Sequence, residues 1–170
     1  MLWSRAPSES PWANPLVRAE FRSISDFEGT DTLGAISPDG RFAAYYSERD
    51  GGLGIWVHQL GTTGLTKLTT SPLGAIGIGR HLGFTNDGAE VWFSQVRFQR
   101  MQRSPISGAG TPQAFLDESV TAVSWSHDGT RMVYFSGGDP GDPMYVADRA
   151  GGNPRLIHRD EPGHHNHEPV

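Results

Sequence analysis

The chain of 170 residues contains no cysteine, so it can form neither a disulfide nor a thiolate zinc site. It also lacks any apolar run near the roughly 20 residues that a membrane-spanning helix needs, and residues 1–7 contain no apolar core of a signal peptide. We therefore expect no direct membrane insertion and, for the chain as written, a cytoplasmic location. A periplasmic or other extracytoplasmic location is the alternative if the chain is part of a longer protein.

Positive charge is scarce. Lys67 is the only lysine, and 14 basic residues stand against 19 acidic ones, which gives a net charge of −5. This balance argues against binding to nucleic acid. Arg97, Arg100 and Arg103, with Phe98 among them, form a small basic group that is more typical of a solvated strand edge than of a nucleic-acid contact.

Motifs for catalysis and cofactor binding are also missing. The sequence has no Gly-x-Ser-x-Gly nucleophile elbow. The glycines at positions 74, 77 and 79 precede Arg80, whereas a phosphate-binding loop requires a lysine followed by a hydroxyl residue. We therefore predict no catalytic residues and no cofactor.

Turn residues, in contrast, are abundant, with 22 glycines and 12 prolines. In residues 36–47, Ser37-Pro38-Asp39-Gly40 separates two apolar stretches. Pro38 presets the backbone of a type I turn, Asp39 can accept bonds from nearby amides, and Gly40 suits the left-handed position that closes a hairpin. The residues that follow are aromatic or small and apolar, as in a buried strand.

The same pattern occurs three times. Asp87-Gly88 follows Asp39-Gly40 after 48 residues, and Asp128-Gly129 follows after a further 41. Repeats of about 40–50 residues with four strands each are typical of β-propellers. We therefore predict an all-β fold, a partial and open β-propeller of about three four-stranded antiparallel blades with almost no helix. The three Asp-Gly pairs are the predicted structural turn residues.

The predicted domain boundaries follow the repeats. Residues 1–19, which are rich in proline and serine, form a linker or tail, and residues 20–170 form the blades. The repeats span about 33–70, 81–116 and 120–158. Partial blades lie at both ends, and the first includes a strand over residues 20–25. Because such an open set of blades cannot close a ring, we expect the chain to be one part of a longer polypeptide.

Ser37 to Gly40, followed by Arg49-Asp50-Gly51 and Ile55-Trp56-Val57, resembles the WD40-like repeats of TolB-type β-propellers. The later repeats depart from that pattern at the proline, where Asn86 and His127 stand. The resemblance is closest to propellers appended to bacterial kinases and winged-helix regulators. It implies a non-catalytic module, in a larger regulatory or sensory protein, that binds a protein partner or the remainder of the same polypeptide. The alternative is the substrate-gating propeller of a prolyl-oligopeptidase-like hydrolase.

A candidate ligand or partner surface lies late in the sequence and comprises His164, His165, His167, Asp139 and Asp142. Alternate histidines on an extended segment can meet one metal, but these have no regular ligand spacing. We therefore predict no metal site and expect a loop at the mouth of the propeller. The two aspartates lie among glycines and prolines, where a solvated turn is favoured over a calcium loop.

The tryptophans Trp56, Trp92 and Trp125 lie at strand positions in successive repeats. Large aromatic rings at such positions usually pack between sheets, and stacking against a ligand is the alternative. We therefore expect these three side chains to fill the spaces between blades.

Overall fold

The computed structural model of the chain describes residues 14–69, 81–94, 100–116, 120–136 and 141–161. These residues form twelve β-strands in three four-stranded sheets, and their one helical element is a 3-10 turn over Pro15–Arg18. The predicted all-β fold with three antiparallel blades is confirmed. Within these ranges, no helix has the length and apolar character needed to cross a membrane.

Each blade is a meander in which every strand pairs antiparallel with the next strand of the chain. Blade one contains β1 (Asp31–Ile36), β2 (Phe42–Ser47), β3 (Gly54–Gln59) and β4 (Leu65–Lys67). Blade two contains β5 (Leu82–Phe84), β6 (Glu90–Phe93), β7 (Gln102–Pro105) and β8 (Gln113–Ala114). Blade three contains β9 (Val120–Trp125), β10 (Arg131–Ser136), β11 (Met144–Asp148) and β12 (Arg155–His158). The first strands of blades one and two, β1 and β5, contact each other, so they form the inner edge of these two blades.

The strand predicted within residues 36–47, after the first turn, is confirmed. It spans 42–47, and the corresponding strand after the third turn spans 131–136. Around Arg103, a polar stretch forms a strand at 102–105. The strands at 42–47 and 131–136 each begin two residues after the glycine of a predicted turn, which is why their start could be predicted well.

The predicted strand over residues 20–25 is wrong. The structure has no strand in this segment, and Phe21 is 88% exposed. The carbonyl of Ile24 lies instead 2.7 Å from His58 Nδ1, on the face of blade one that points away from blade two. Residues 20–25 therefore do not pair with a sheet as an additional strand, and Ile24 at their end lies against the face of blade one.

Side chains alternate between the two faces of each sheet, and this decides which blade they contact. On β2, Ala44 and Tyr46 belong to the core shared with blade two, and Ala43 and Tyr45 point the opposite way. We call the face toward the next blade in the sequence the forward face, and the opposite one the backward face. Each junction between blades therefore joins a forward face to a backward face.

Two apolar cores fill the junctions. The core between blades one and two comprises Ala44, Tyr46, Leu53, Ile55, Val57, Leu68, Phe84, Val91 and Phe93. The core between blades two and three comprises Trp92, Met101, Phe115, Val120, Val123, Met132 and Ala147. No single core runs through the described part of the chain, because each sheet shares one face with each neighbouring blade. The junctions, and not the sheets alone, therefore carry the hydrophobic stabilisation.

One buried hydrogen bond connects blades one and two directly. Tyr46, 1% exposed, donates its hydroxyl hydrogen to the Ser94 carbonyl at 2.8 Å, and the His81 carbonyl lies 3.4 Å away. Burial raises the pKa of the Tyr46 hydroxyl, so it remains a donor at neutral and moderately alkaline pH. The bond fixes the end of β2 against the end of β6.

We predict that Tyr46→Phe lowers the free energy of unfolding by about 1 kcal/mol, because the Ser94 carbonyl loses a buried donor. Tyr46→Ala also removes the ring from the junction core, and we expect a loss of about 4 kcal/mol. Urea unfolding followed by tryptophan fluorescence measures both. If Tyr46→Phe leaves stability unchanged, the bond between the blades contributes nothing and the ring alone matters.

Candidate functional site

Each blade has the predicted turn between its first two strands, and blade one illustrates its construction. The Gly40 N–H donates to the Ser37 carbonyl at 2.8 Å. The Ser37 hydroxyl donates to Asp39 Oδ1 at 2.6 Å and accepts from the Phe42 N–H at 2.9 Å. The Arg41 N–H donates to the same carboxylate oxygen at 3.0 Å. Bonds within residues 37–42 thereby fix the start of the second strand.

Blades two and three repeat this network with different residues. In blade two, the Thr85 hydroxyl donates to Asp87 Oδ1 at 2.7 Å. In blade three, the Ser126 hydroxyl donates to Asp128 Oδ1 at 2.6 Å, and the Thr130 hydroxyl donates to the same oxygen at 2.9 Å. In both blades the first hydroxyl also accepts the first N–H of the second strand at 3.1 Å. The network depends on a hydroxyl and an aspartate two positions apart.

The glycine after each aspartate has a positive φ, as predicted. The values are 70° at Gly40, 70° at Gly88 and 65° at Gly129, a region that glycine enters without the clash of a Cβ. Proline is not required, since Asn86 and His127 occupy its position in turns with the same bonds. The proline-free turns therefore close as the first one does.

The three turns lie side by side. A Cβ added to Gly88 would stand 3.6 Å from Cδ of Pro38, in the turn of blade one. A Cβ added to Gly129 would overlap the side-chain amide of Asn86, in the turn of blade two. The first turn thus contacts the second, and the second contacts the third.

The carboxylates of Asp39, Asp87 and Asp128 are consequently exposed in a row along one end of the blades. We call these three residues and their turns the turn rim. Arg149, from the loop between β11 and β12, reaches the same end and lies 4.0 Å from Asp87 Oδ2. Because both side chains of this pair are largely exposed, their attraction is weak.

Hydrogen bonds lower the pKa of all three rim aspartates. In each, the bond from the hydroxyl of the same turn is the largest cause, and a backbone N–H adds to it. The pKa of Asp128, which accepts from two hydroxyls, falls to about 2. The three carboxylates are therefore ionised above about pH 4, and they are weak bases.

Aromatic rings fill the junction beside the rim. The ring of Trp125, the residue before the third turn, is stacked on Phe115 with centroids 6.2 Å apart and planes 12° apart, and Trp92 lies 6.4 Å away. The Arg103 guanidinium lies 5.4 Å from the centre of Phe115, and its Nη1 donates to Glu90 at 3.1 Å. The predicted packing of Trp92 and Trp125 between blades is confirmed, and Arg103 belongs to this junction and not to a bare strand edge.

Trp56 lies elsewhere, on the backward face of blade one. The Arg49 guanidinium is surrounded there by three rings, at 5.3 Å from the centre of Trp56, 5.5 Å from Phe27 and 5.7 Å from Tyr45. Asp31 lies 3.7 Å from Arg49 Nη2. Lys67 Nζ also lies 5.7 Å from the centre of the Trp56 ring, and the same ammonium pairs with Asp50. Within the described part of the chain, the Trp56 ring therefore packs against two cations, and its expected packing between two blades is wrong.

Residues 24–27 lie against this backward face, and we call them the strap. Arg49 Nη2 donates to the Ser25 hydroxyl at 3.0 Å, and His58 Nδ1 lies 2.7 Å from the Ile24 carbonyl. The strap therefore contacts both the loop after β2 and the strand β3. Phe27 adds its ring to the group around Arg49.

Of the predicted surface residues, only Asp142 falls within the described ranges. It has a φ of 35° and is half-buried just before β11. His164, His165, His167 and Asp139 lie outside the described residues. In the part of the chain that the structure describes, no group of three or more His, Asp or Glu side chains is placed to hold a metal ion.

Sequence reasoning missed two features of the site. The contact of Arg49 with three rings joins residues separated by up to 29 positions, and no spacing in the sequence marks it. The stack of Phe115 on Trp125 joins blades two and three in the same way. The aromatic residues themselves were the only available signal, and they did not specify partners.

We predict that Gly40→Ala lowers the free energy of unfolding by about 1 kcal/mol, because a Cβ disfavours positive φ although the space around Gly40 is open. Gly129→Ala should cost more, since its Cβ also displaces the Asn86 amide. Chemical unfolding of both variants, and of Gly129→Ala with Asn86→Ala, measures the difference as a double-mutant cycle. An equal cost for Gly40→Ala and Gly129→Ala would mean that the contact between turns two and three is negligible.

We also predict that acid destabilises the fold through the turn rim. The pKa of Asp128 is about 2 in the folded protein and near 3.8 in the unfolded chain. A carboxylate with such a lowered folded pKa stabilises the fold at pH values above its unfolded pKa. This stabilisation is lost as the pH falls from the unfolded pKa to the folded one. The melting temperature should therefore fall between pH 4 and pH 2. Asp128→Asn keeps an acceptor oxygen without the titration, and its acid limb should be less steep than that of the wild type. Parallel curves for the two proteins would contradict this role of Asp128.

Comparison with known proteins gives matches only among solved structures, since no family model and no curated protein matches the chain. A structure described as a putative TolB from Agrobacterium tumefaciens is 22% identical with a TM-score of 0.55, over 75% of this chain and 48% of that one. TolB from Acinetobacter baumannii is 18% identical with a TM-score of 0.54, over 81% and 35%. A chain of a nidogen–laminin complex is 11% identical with a TM-score of 0.55, over 78% and 49%.

The chain thus spans about half the length of these structures, or less. At such identities the likeness concerns the fold alone. The three meander blades, their stacked turns and the two junction cores agree with it. The chain has the fold of TolB-like β-propellers, of which the described residues form three blades.

Proposed function

We propose that this chain is a non-catalytic β-propeller module that binds a protein partner through the turn rim, as part of a larger bacterial regulatory or sensory protein. The observation that carries the proposal is the row of three stacked turns, which exposes Asp39, Asp87 and Asp128 at one end of the blades. Loops positioned by a rigid scaffold are the usual binding elements of such folds.

The chemistry of the rim favours a partner with exposed basic side chains. Three ionised carboxylates, one in each blade, form a strip along this end, with Arg41 near Asp39 and Arg149 near Asp87. Arginine and lysine on a protein surface complement such a strip and accelerate encounter at low salt. The half-buried Trp125, next to the third turn, supplies an aromatic surface of the kind enriched at protein interfaces.

The bonding of the rim supports a binding role over a catalytic one. The hydroxyls of Ser37, Thr85 and Ser126 are engaged in the turn networks and are not free to act as nucleophiles. The lowered pKa values make the aspartates poor general bases near neutral pH, where an effective base has a pKa near 7.

The wider setting is supported by resemblance. The WD40-like repeats resemble propellers of bacterial regulators, and two similar structures are described as bacterial TolB proteins. A third similar structure was solved as part of a nidogen–laminin complex, which is an assembly of proteins. We extend this protein-binding role to the present chain as part of the proposal.

The test neutralises the rim without breaking its turns. The triple variant Asp39→Asn, Asp87→Asn and Asp128→Asn keeps an acceptor oxygen in each network, because asparagine also suits these positions. The matched control carries the same charge change at exposed acids elsewhere, Glu28→Gln, Glu48→Gln and Glu161→Gln. Circular dichroism first establishes that both variants fold.

Each protein is immobilised and exposed to bacterial lysate, and captured proteins are quantified by mass spectrometry after cross-linking. We expect wild type and control to retain the same partner, with cross-links at the rim, and the triple Asn variant to lose most of it. Retention by the triple variant equal to that of the control would reject the rim as the binding surface. Added salt should weaken capture by wild type if the contact is electrostatic.

A further inference from the structure

The chain contains a fourth Asp-Gly pair besides the three of the turn rim. Asp50-Gly51 lies in the loop between β2 and β3. An Asp-Gly pair is chemically reactive, because a glycine has no side chain to shield its amide nitrogen, and this nitrogen can attack the carboxyl of the preceding aspartate. The surroundings of each pair therefore decide which of the four stays intact.

The main chain of the fourth turn is built like that of the rim turns. The Gly51 N–H donates to the Glu48 carbonyl at 3.0 Å, as the Gly40 N–H donates to the Ser37 carbonyl at 2.8 Å. The φ of Gly51 is 85°, in the same left-handed region as the rim glycines. The aspartate is exposed in all four turns. Neither the turn backbone nor exposure therefore distinguishes the fourth pair.

The rim aspartates are distinguished by the donors on their carboxylates. Each accepts from a hydroxyl two positions earlier and from the backbone N–H two positions later. For Asp39 these donors are the Ser37 hydroxyl at 2.6 Å and the Arg41 N–H at 3.0 Å. The turns of blades two and three have the same pair of bonds, at 2.6–3.1 Å. Two fixed donors therefore hold one oxygen of each rim carboxylate.

Asp50 lacks this arrangement. Glu48 stands two positions before it, where the rim turns have serine or threonine. Among the described residues, the Asp50 carboxylate pairs with the Lys67 ammonium and receives no bond from the Gly52 N–H. The ammonium is carried on a flexible four-carbon stem, and 39% of the Asp50 side chain is exposed. The carboxyl next to Gly51 is therefore the least constrained of the four.

We propose that Asp50-Gly51 is a site of spontaneous isomerisation to isoaspartate, and that the hydroxyl networks protect the three rim pairs. The Asp50 carboxyl, protonated from solvent, is attacked at Cγ by the Gly51 amide nitrogen. A C–N bond forms, a C–O bond breaks, and one water leaves with the amide hydrogen and the carboxyl OH. A second water then opens the five-membered imide at the former main-chain carbonyl and breaks its C–N bond. The main chain now runs through Cβ and Cγ, and the α-carboxylate becomes the side group.

Protection of the rim follows from what this attack requires. The carboxylate must leave its two donors and take up a proton before the glycine nitrogen can displace its oxygen. The same bonds that hold the rim carboxylates also lower their pKa values, so the neutral acid is scarce at neutral pH. One hydrogen bond to a charged group changes such an equilibrium by about tenfold.

Isomerisation would act on the strap. It adds one methylene to the main chain beside Arg49, whose Nη2 donates to the Ser25 hydroxyl at 3.0 Å and whose guanidinium lies 5.5 Å from the centre of Phe27. We therefore expect the strap to loosen when Asp50 isomerises. The number of charges does not change, since one carboxylate replaces another. The site lies at the far end of β2 from the rim, so the proposal is independent of what the rim binds.

Incubation of the full chain at neutral pH for several weeks tests the proposal. Peptides are then analysed by mass spectrometry with electron-transfer fragmentation, which distinguishes isoaspartate from aspartate at each position. We expect isoaspartate to accumulate at position 50 about tenfold faster than at positions 39, 87 and 128. No isoaspartate at position 50, or equal rates at all four pairs, would overturn the proposal.

Exchanging the hydroxyl between turns tests the cause of the difference. Glu48→Ser supplies a hydroxyl two positions before Asp50 and should slow isomerisation there, whereas the control Glu48→Ala should not. Ser37→Ala removes the hydroxyl from the first turn and should raise the rate at Asp39 about tenfold, with positions 87 and 128 as internal controls. Equal rates at position 50 in Glu48→Ser and Glu48→Ala would reject protection by the hydroxyl, and this comparison stands even if Ser37→Ala fails to fold.

Hydrogen exchange of the incubated protein tests the consequence for the strap. The isomerised fraction, separated by ion-exchange or reversed-phase chromatography, should exchange the amides of residues 24–27 faster than fresh protein does. Exchange at the rim turns should be the same in both. Equal exchange of residues 24–27 in the two samples would show that the strap does not depend on the Asp50 turn.

Discussion

The structure depends on a small hydrogen-bond network in which one hydroxyl connects a carboxylate to the first amide of the next strand. In blade one, Ser37 donates to Asp39 and accepts from Phe42, and the same geometry recurs in the other blades. Because the network fixes where the second strand begins, it also fixes which side chains point forward and which point backward. The junction cores follow from that choice, since a shift by one residue would exchange the two faces of every second strand.

Much of the fold could be predicted because the information is local. The turn pattern and the apolar run after it lie within about a dozen residues, and both the positive φ of Gly40 and the bounds of β2 agreed with expectation. The segment 20–25 was misjudged because alternating polarity does not distinguish a paired strand from a chain that lies across a sheet. The group around Arg49 was not foreseen, since it joins residues that only folding brings together. The boundary between tail and blades at residue 19 stays a prediction.

The two outer faces of the described blades differ in chemistry. The backward face of blade one carries Asp31, Arg49 and Lys67 among its rings, and its own strap lies on it. The forward face of blade three carries Val133 and Val146 at its centre, with Arg131, Asp148 and Arg155 beside them. Within the described residues, the backward face of blade one is therefore the one on which cations are packed between rings.

The turn network also bears on how such a chain can change over evolutionary time. Each network is completed within its own turn, so duplication or deletion of a whole blade leaves no broken hydrogen bonds inside the turn that is copied or lost. The bond from Tyr46 to the Ser94 carbonyl is different, because its donor and acceptor belong to neighbouring units. A change in blade number thus breaks no bond within a turn, whereas the junction of blades one and two depends on both its apolar core and the bond from the Tyr46 phenol.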